Sequence, residues 1–119
     1  MPDFGVFKVC RQAQDGLSDW CFVEVKRPGR PWGSSEDQLA AAMSNMENPC
    51  YAIVLIGLEI RFFIFDPEDN APGNRLSPIV PSGWAENLRW NLNHPQHANG
   101  IHYVFGLLAS QPPLALADS

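Results

Sequence analysis

The sequence predicts an α/β domain with a mixed central sheet of about four strands and a crossover helix. Three observations carry this expectation. Tyr51 to Leu58 is a nearly unbroken apolar run of strand length. Ahead of it lies a stretch with helical spacing, Leu39, Met43 and Met46. Ahead of that stand two segments, Phe4 to Cys10 and Trp20 to Lys26, rich in the β-branched and aromatic residues that favour strands.

Phe4 to Cys10 and Trp20 to Lys26 are joined through Gln14-Asp15-Gly16, which supplies turn chemistry, so an antiparallel hairpin is expected. Pro28, Gly29, Pro31 and Gly33 then break the chain. Ser34 or Ser35 is expected to cap a helix reaching about Asn48, with Glu36 and Asp37 in the first turn, where the helix dipole favours negative charge. Pro49 ends it. Tyr51 to Leu58 is apolar enough to be covered on both faces, and a tight turn at Gly57-Leu58-Glu59 leads into Ile60 to Phe65. Strand, helix, strand in this order implies a parallel, right-handed crossover. After Asp66 a Pro-, Gly- and Asn-rich loop runs to Pro81. Trp84, Leu88 and Leu92 repeat with helical spacing and predict a short helix, stopped by His94-Pro95. Ile101 to Ala109 is a last apolar element, strand or helix. The domain is drawn as 1–109, with a flexible Pro-rich tail at 110–119.

At 119 residues there is room for one domain and one modest core. No run reaches the length needed to span a bilayer, so no membrane association is expected. The start lacks the basic and apolar pattern of a secretory signal, and the chain is expected to be intracellular, in cytoplasm or nucleus. The three cysteines, Cys10, Cys21 and Cys50, have no zinc-type spacing and read as buried thiols. His94, His97 and His102 are spaced so that no two reliably share a face, and Ser77, Ser82 and Ser110 lack a nucleophile elbow. The net charge of −5 argues against a protein that wraps nucleic acid with a broad basic surface. An enzyme that touches a few phosphates through a metal needs less positive charge.

The chemistry concentrates in the second strand. Side chains alternate between faces, so Glu24 and Lys26 point the same way, roughly 7 Å apart, while Cys21, Val23 and Val25 point into a core. A carboxylate and an ammonium on one face of a central strand are costly to bury unless paired or metal-bound. The plain alternative is an exposed edge-strand ion pair worth under about 1 kcal/mol. Asp3 stands just before the first strand. A register setting Asp3 opposite Glu24 would bring the two carboxylates together and requires a long loop from about Val9 to Ser18. A tight turn at Asp15-Gly16 would instead set Cys10 opposite Cys21.

Pro2-Asp3, then Glu24-Val25-Lys26 in a strand, then a helix bearing Gln38, in the order hairpin, helix, strand, strand over Pro2 to Phe65, resembles the PD-(D/E)XK nuclease superfamily with its restriction-endonuclease-like fold. The resemblance implies phosphodiester hydrolysis dependent on Mg²⁺ or Mn²⁺, with Asp3 and Glu24 as metal ligands. Lys26 would orient or help deprotonate the attacking water, and Gln38 would face the site. Gln38 also fits a capping box with Ser35. Lys26, Arg27 and Arg30 beside Trp32 form a basic cluster suited to phosphate-backbone contact with DNA or RNA, and equally to a solvated loop. The family's usual N-terminal helix and strand have no counterpart ahead of Asp3. An additional N-terminal segment, a C-terminal segment or a second copy of the chain would then complete the fold. The competing expectation keeps the fold but makes it an inactive module for protein binding or oligomerisation.

Overall fold

The computed structural model describes residues 5–13, 16–44, 46, 48–67, 76–85 and 87–111, with side chains from Trp20 onward. The chain runs β1 (Gly5–Ala13), β2 (Gly16–Lys26), α1 (Trp32–Ala42), β3 (Cys50–Ile56), β4 (Glu59–Phe65), β5 (Leu76–Pro78), β6 (Trp90–Asn91) and α2 (Pro95–Ser110). The mixed sheet has the order β1-β2-β3-β4-β5, with β6 also pairing β4, so four long strands are extended by two short ones. Among the described residues no helix is long and apolar enough to cross a membrane.

The hairpin takes neither anticipated register. Val6 lies opposite Glu24 and Val9 opposite Cys21, and then Cys10 pairs with Asp19, leaving Trp20 as an inserted residue. The ladder continues to Ala13–Gly16, so no long loop spans Val9 to Ser18. Zipping the strands together over this length satisfies backbone groups that an open loop would leave to water. The one-residue bulge absorbs the mismatch and lets adjacent Trp20 and Cys21 both join the same core.

β2 and β3 pair in parallel through α1, as the strand-helix-strand order requires, and β3 and β4 form an antiparallel hairpin. Gly57 turns that hairpin at φ +61°, and a Cβ there would meet the Pro28 ring at 3.0 Å. β3 is apolar on both faces because both are covered: Tyr51 and Ile53 face the core on the α2 side, Ala52, Val54 and Ile56 that on the α1 side. α1 begins at Trp32, earlier than the serines suggested, with Pro31 at its N-cap and the Ser35 hydroxyl donating to the Pro31 carbonyl at 2.8 Å. It closes at Ala42, short of Asn48, before Ser44 and Asn45, residue types that favour turns over helix.

Among the described residues from Trp84 to Leu92 the anticipated helix is not formed. The described residues there form turns leading into β6, where Trp90 pairs with Ile60 and is wholly buried, while Trp84 and Leu92 stay exposed. A free edge at the start of β4 and a large indole to bury outweigh a sparse apolar repeat interrupted by Asn87 and Asn91. His94-Pro95 opens a helix instead of ending one. The His94 Nδ1 accepts the Gln96 N–H at 3.2 Å, and Pro95 occupies the first helical position, where its missing N–H costs nothing. α2 then runs through Ile101 to Ala109, settling the choice left open there. Its end is tied down by Trp20 Nε1, donating to the Leu108 carbonyl at 2.6 Å, and by the Tyr51 hydroxyl, donating to the Gln111 carbonyl at 2.6 Å.

Burial pushes the Cys21 thiol up to about 12. Burial, and after it the neighbouring Cys21, also pushes the Tyr51 hydroxyl up to about 12. Both groups hold their protons more tightly folded than unfolded. Their contribution to stability is therefore complete below the unfolded values, near 8.5 and 10, and fades as pH rises toward 12. Chemical denaturation at stepped pH is expected to show stability falling from about pH 9 upward, with a shallower fall in Cys21→Ala. A flat profile between pH 9 and 12 would contradict the burial of these two groups.

Candidate functional site

Sheet pairing builds the site. Glu24 pairs with Val54, and Val54 with Arg61, forming one row across three strands on the face that α1 covers. Glu24 and Arg61 are thus two strand spacings apart, roughly 10 Å. The next row is Lys26, Ile56 and Glu59. α1 lies over the middle, its buried stripe of Trp32, Ser35 and Leu39 following the helical period. Glu36 and Gln38 are two residues apart, so they leave the helix on opposite flanks. Gln38 reaches β2 and Glu36 reaches β4.

On the β2 flank the Lys26 ammonium donates to Gln38 Oε1 at 2.7 Å and lies 3.4 Å from Glu24 Oε1. Glu24 is 2% exposed and Lys26 9%, whereas Gln38 is exposed. A buried carboxylate, a nearly buried ammonium and a surface amide form a graded path from core to solvent. The plain alternative of an exposed ion pair is excluded by this burial. The capping-box alternative for Gln38 fails as well, because the helix starts three residues before Ser35 and the N-cap makes no side-chain bond.

On the β4 flank the Arg61 guanidinium meets Glu36 Oε1 at 2.8 Å and lies over the Phe63 ring. Burial pushes the Glu36 carboxyl above its ordinary value, although Arg61 beside it pulls the other way. Burial likewise lowers Arg61, with Glu36 opposing. Glu36 therefore serves an ion pair in the second turn, not the first-turn dipole position read from the sequence. Arg89 lies over the Trp32 ring at 5.5 Å. Trp32 itself is 8% exposed, a core residue whose ring is covered by Arg89 instead of offered to a base. Arg27 and Arg30 are exposed on the loop between β2 and α1, linked by an Arg30 N–H bond to the Arg27 carbonyl.

No family model, curated protein or solved structure matches this chain.

Asp3 lies outside the described residues. The register that would set Asp3 opposite Glu24 is not the one formed: Val6 takes that place, and it is Val6, three positions further on, that shares the face of Glu24 in the ladder. β1 enters the sheet at the end where β2 leaves it, since Gly5 pairs with Val25. Among the described residues no group of three or more His, Cys, Asp or Glu is arranged to hold a metal. Glu24 supplies one hard oxygen donor, which with one further carboxylate fits Mg²⁺, an ion usually bound through one or two carboxylates plus water and substrate phosphate. The histidines His94 and His97 have structural roles. Their rings stack at 4.3 Å, and the His97 Nδ1 accepts the Asn91 N–H at 2.9 Å.

Sequence reasoning missed Glu36, Arg61 and Arg89 as members of this region. Arg61 had a signal, a lone cation in the alternating run of β4 on the same face as Phe63 and Phe65. Arg89 had none, because its position depends on where β6 docks.

Proposed function

We propose that the chain is a divalent-metal-dependent phosphodiesterase acting on DNA or RNA, with Glu24, Lys26 and Gln38 as described members of its site and Asp3 as its second carboxylate. The observation that carries this reading is the Lys26 ammonium, held at once by Gln38 and by a carboxylate almost sealed from water. An ion pair in that position is a poor stabiliser, because desolvation offsets most of the attraction. Chemistry gives a physical reason to keep it. A restriction-endonuclease-like arrangement of the hairpin, α1, β3 and β4 is part of the same proposal.

In this scheme Glu24 and Asp3 would hold Mg²⁺ or Mn²⁺, which supplies charge neutralisation at the phosphate and a more acidic water. Lys26, aligned by Gln38, donates hydrogen bonds toward the water and the phosphate oxygens, where negative charge grows. Gln38, at the surface, meets the substrate first. Arg27 and Arg30 stand on the loop that opens beside them and would contact the backbone phosphates.

The test is incubation of the chain with single- and double-stranded DNA and RNA in Mg²⁺, Mn²⁺ or EDTA. Metal-dependent cleavage is expected, falling to background in Glu24→Gln and in Lys26→Ala, and Mn²⁺ calorimetry is expected to lose its heat in Glu24→Gln. Cleavage that persists in EDTA, or in both variants, would refute the reading. The second reading, a non-catalytic module for protein binding or oligomerisation, is favoured by the exposed apolar side chains Leu58, Leu92, Tyr103 and Phe105. It gains if neither cleavage nor Mn²⁺ binding is found.

A further inference from the structure

The chain is acidic overall, with 8 Lys and Arg against 13 Asp and Glu. Yet Lys26, Arg27, Arg30, Arg61 and Arg89 all gather at the end of the sheet where β2 and β3 finish and β4 begins. Within this group Arg61 pairs with Glu36 at 2.8 Å, and Arg89 adds a second positive charge to the same region. Two guanidinium groups near one carboxylate leave a positive charge in excess, which favours an incoming anion.

Arg89 differs from an ordinary surface arginine. Its guanidinium carbon lies over the ring of Trp32, 5.5 Å from the ring centre, and Trp32 is fixed in the core as the first residue of α1. A cation–π contact of this kind restricts the side chain and lowers the entropy lost when it binds a phosphate. Arg89 is exposed, so the fork is open to a ligand.

We propose that Arg89, seated on Trp32 and backed by the Glu36–Arg61 pair, is a backbone-phosphate contact that receives a phosphodiester strand alongside the Glu24–Lys26–Gln38 set. This rests on reading that set as a phosphodiester site. The two flanks of α1 are about 10–12 Å apart, a helix diameter. Successive phosphates of a strand stand farther apart through space than their rise of about 3.4 Å along a duplex axis, so that gap spans about two of them. One strand can therefore touch Arg89 on one flank while its reacting phosphate lies near Lys26 on the other.

The experiment measures binding of fluorescein-labelled single-stranded DNA and RNA oligonucleotides by anisotropy, in Mg²⁺ and across a salt series. It uses the full chain carrying Glu24→Gln so that the probe survives. Adding Arg89→Ala is expected to weaken binding several-fold and to reduce the slope of log affinity against log salt by about 0.7, the value for one phosphate contact on a single strand. Arg89→Glu should lose more, and Arg89→Lys less, since it keeps the charge without the fork. Matching thermal melts will show that the exposed substitution leaves the fold intact. Binding with the same slope in Arg89→Ala and unchanged affinity in Arg89→Glu overturns this inference and leaves hydrolysis standing. Binding that depends on Arg89, with no cleavage by the unsubstituted chain, overturns hydrolysis alone. Absence of binding to either probe overturns this inference, and the cleavage assay on the unsubstituted chain decides hydrolysis separately.

Discussion

Replacing Lys26 with methionine is expected to lower the free energy of unfolding by about 3–5 kcal/mol, the range for a buried ion pair stripped of one partner. The reason lies in what remains. Glu24 keeps its carboxylate at 2% exposure, and the ammonium 3.4 Å away is gone. Gln38 also loses its 2.7 Å donor but, being at the surface, can turn to water. The double variant Glu24→Leu/Lys26→Met removes both charges and is expected to regain most of the loss, because apolar residues of similar volume usually replace a buried pair at little cost. Urea denaturation of wild type, both single variants and the double variant gives the coupling directly. Additive losses would show that the two groups do not interact. A double variant that is as stable as wild type yet cleaves nothing would be the signature of a pair retained for chemistry.

Substituting alanine for Gly100 should destabilise the protein by about 1–3 kcal/mol, the range for overpacking a filled core. Helix propensity alone has the opposite sign, a gain of about 0.8–1.0 kcal/mol for Gly→Ala inside a helix. Packing decides, since a Cβ at Gly100 would stand 2.3 Å from Cη2 and Cζ3 of Trp90. That indole cannot move aside freely. It is wholly buried, it belongs to the short strand paired with β4, and its ring packs against Trp84 at 4.8 Å and His97 at 5.6 Å. Gly106 is the internal control. It lies in the same helix, and a Cβ there would meet nothing within 4 Å, so Gly106→Ala is expected to stabilise by up to about 1 kcal/mol. Thermal melts of the two variants should shift in opposite directions. Shifts of the same sign would mean that Trp90 does not pack against α2 in this way.

Much of the fold was legible because its signals are local. The apolar run of β3 named a strand covered on both faces, and Leu39 marked the buried stripe of the crossover helix, although Met43 proves to be its C-cap and Met46 lies beyond it. Their order then required parallel pairing with β2. The shared face of Glu24 and Lys26 followed from strand alternation alone. Trp84, Leu88 and Leu92 misled, because a repeat of three apolar residues is weak against the demand of a strand edge for partners. His94-Pro95 misled for a related reason: proline both follows helices and starts them, and only the His94 bond to Gln96 distinguishes the cases.

By itself, then, the sequence determined the strand-helix-strand order, the parallel crossover and the common face of Glu24 and Lys26. These depend on periodicities of two and 3.6 residues that any short segment carries within itself. Tertiary structure alone decided the pairing of Val6 with Glu24, the bulge at Trp20, the seating of Trp90 against Gly100, and the meeting of Gln38 with Lys26 and Glu36 with Arg61. Each of those is a contact between segments distant in the chain, chosen by competition for buried volume and for hydrogen-bond partners that no single segment contains.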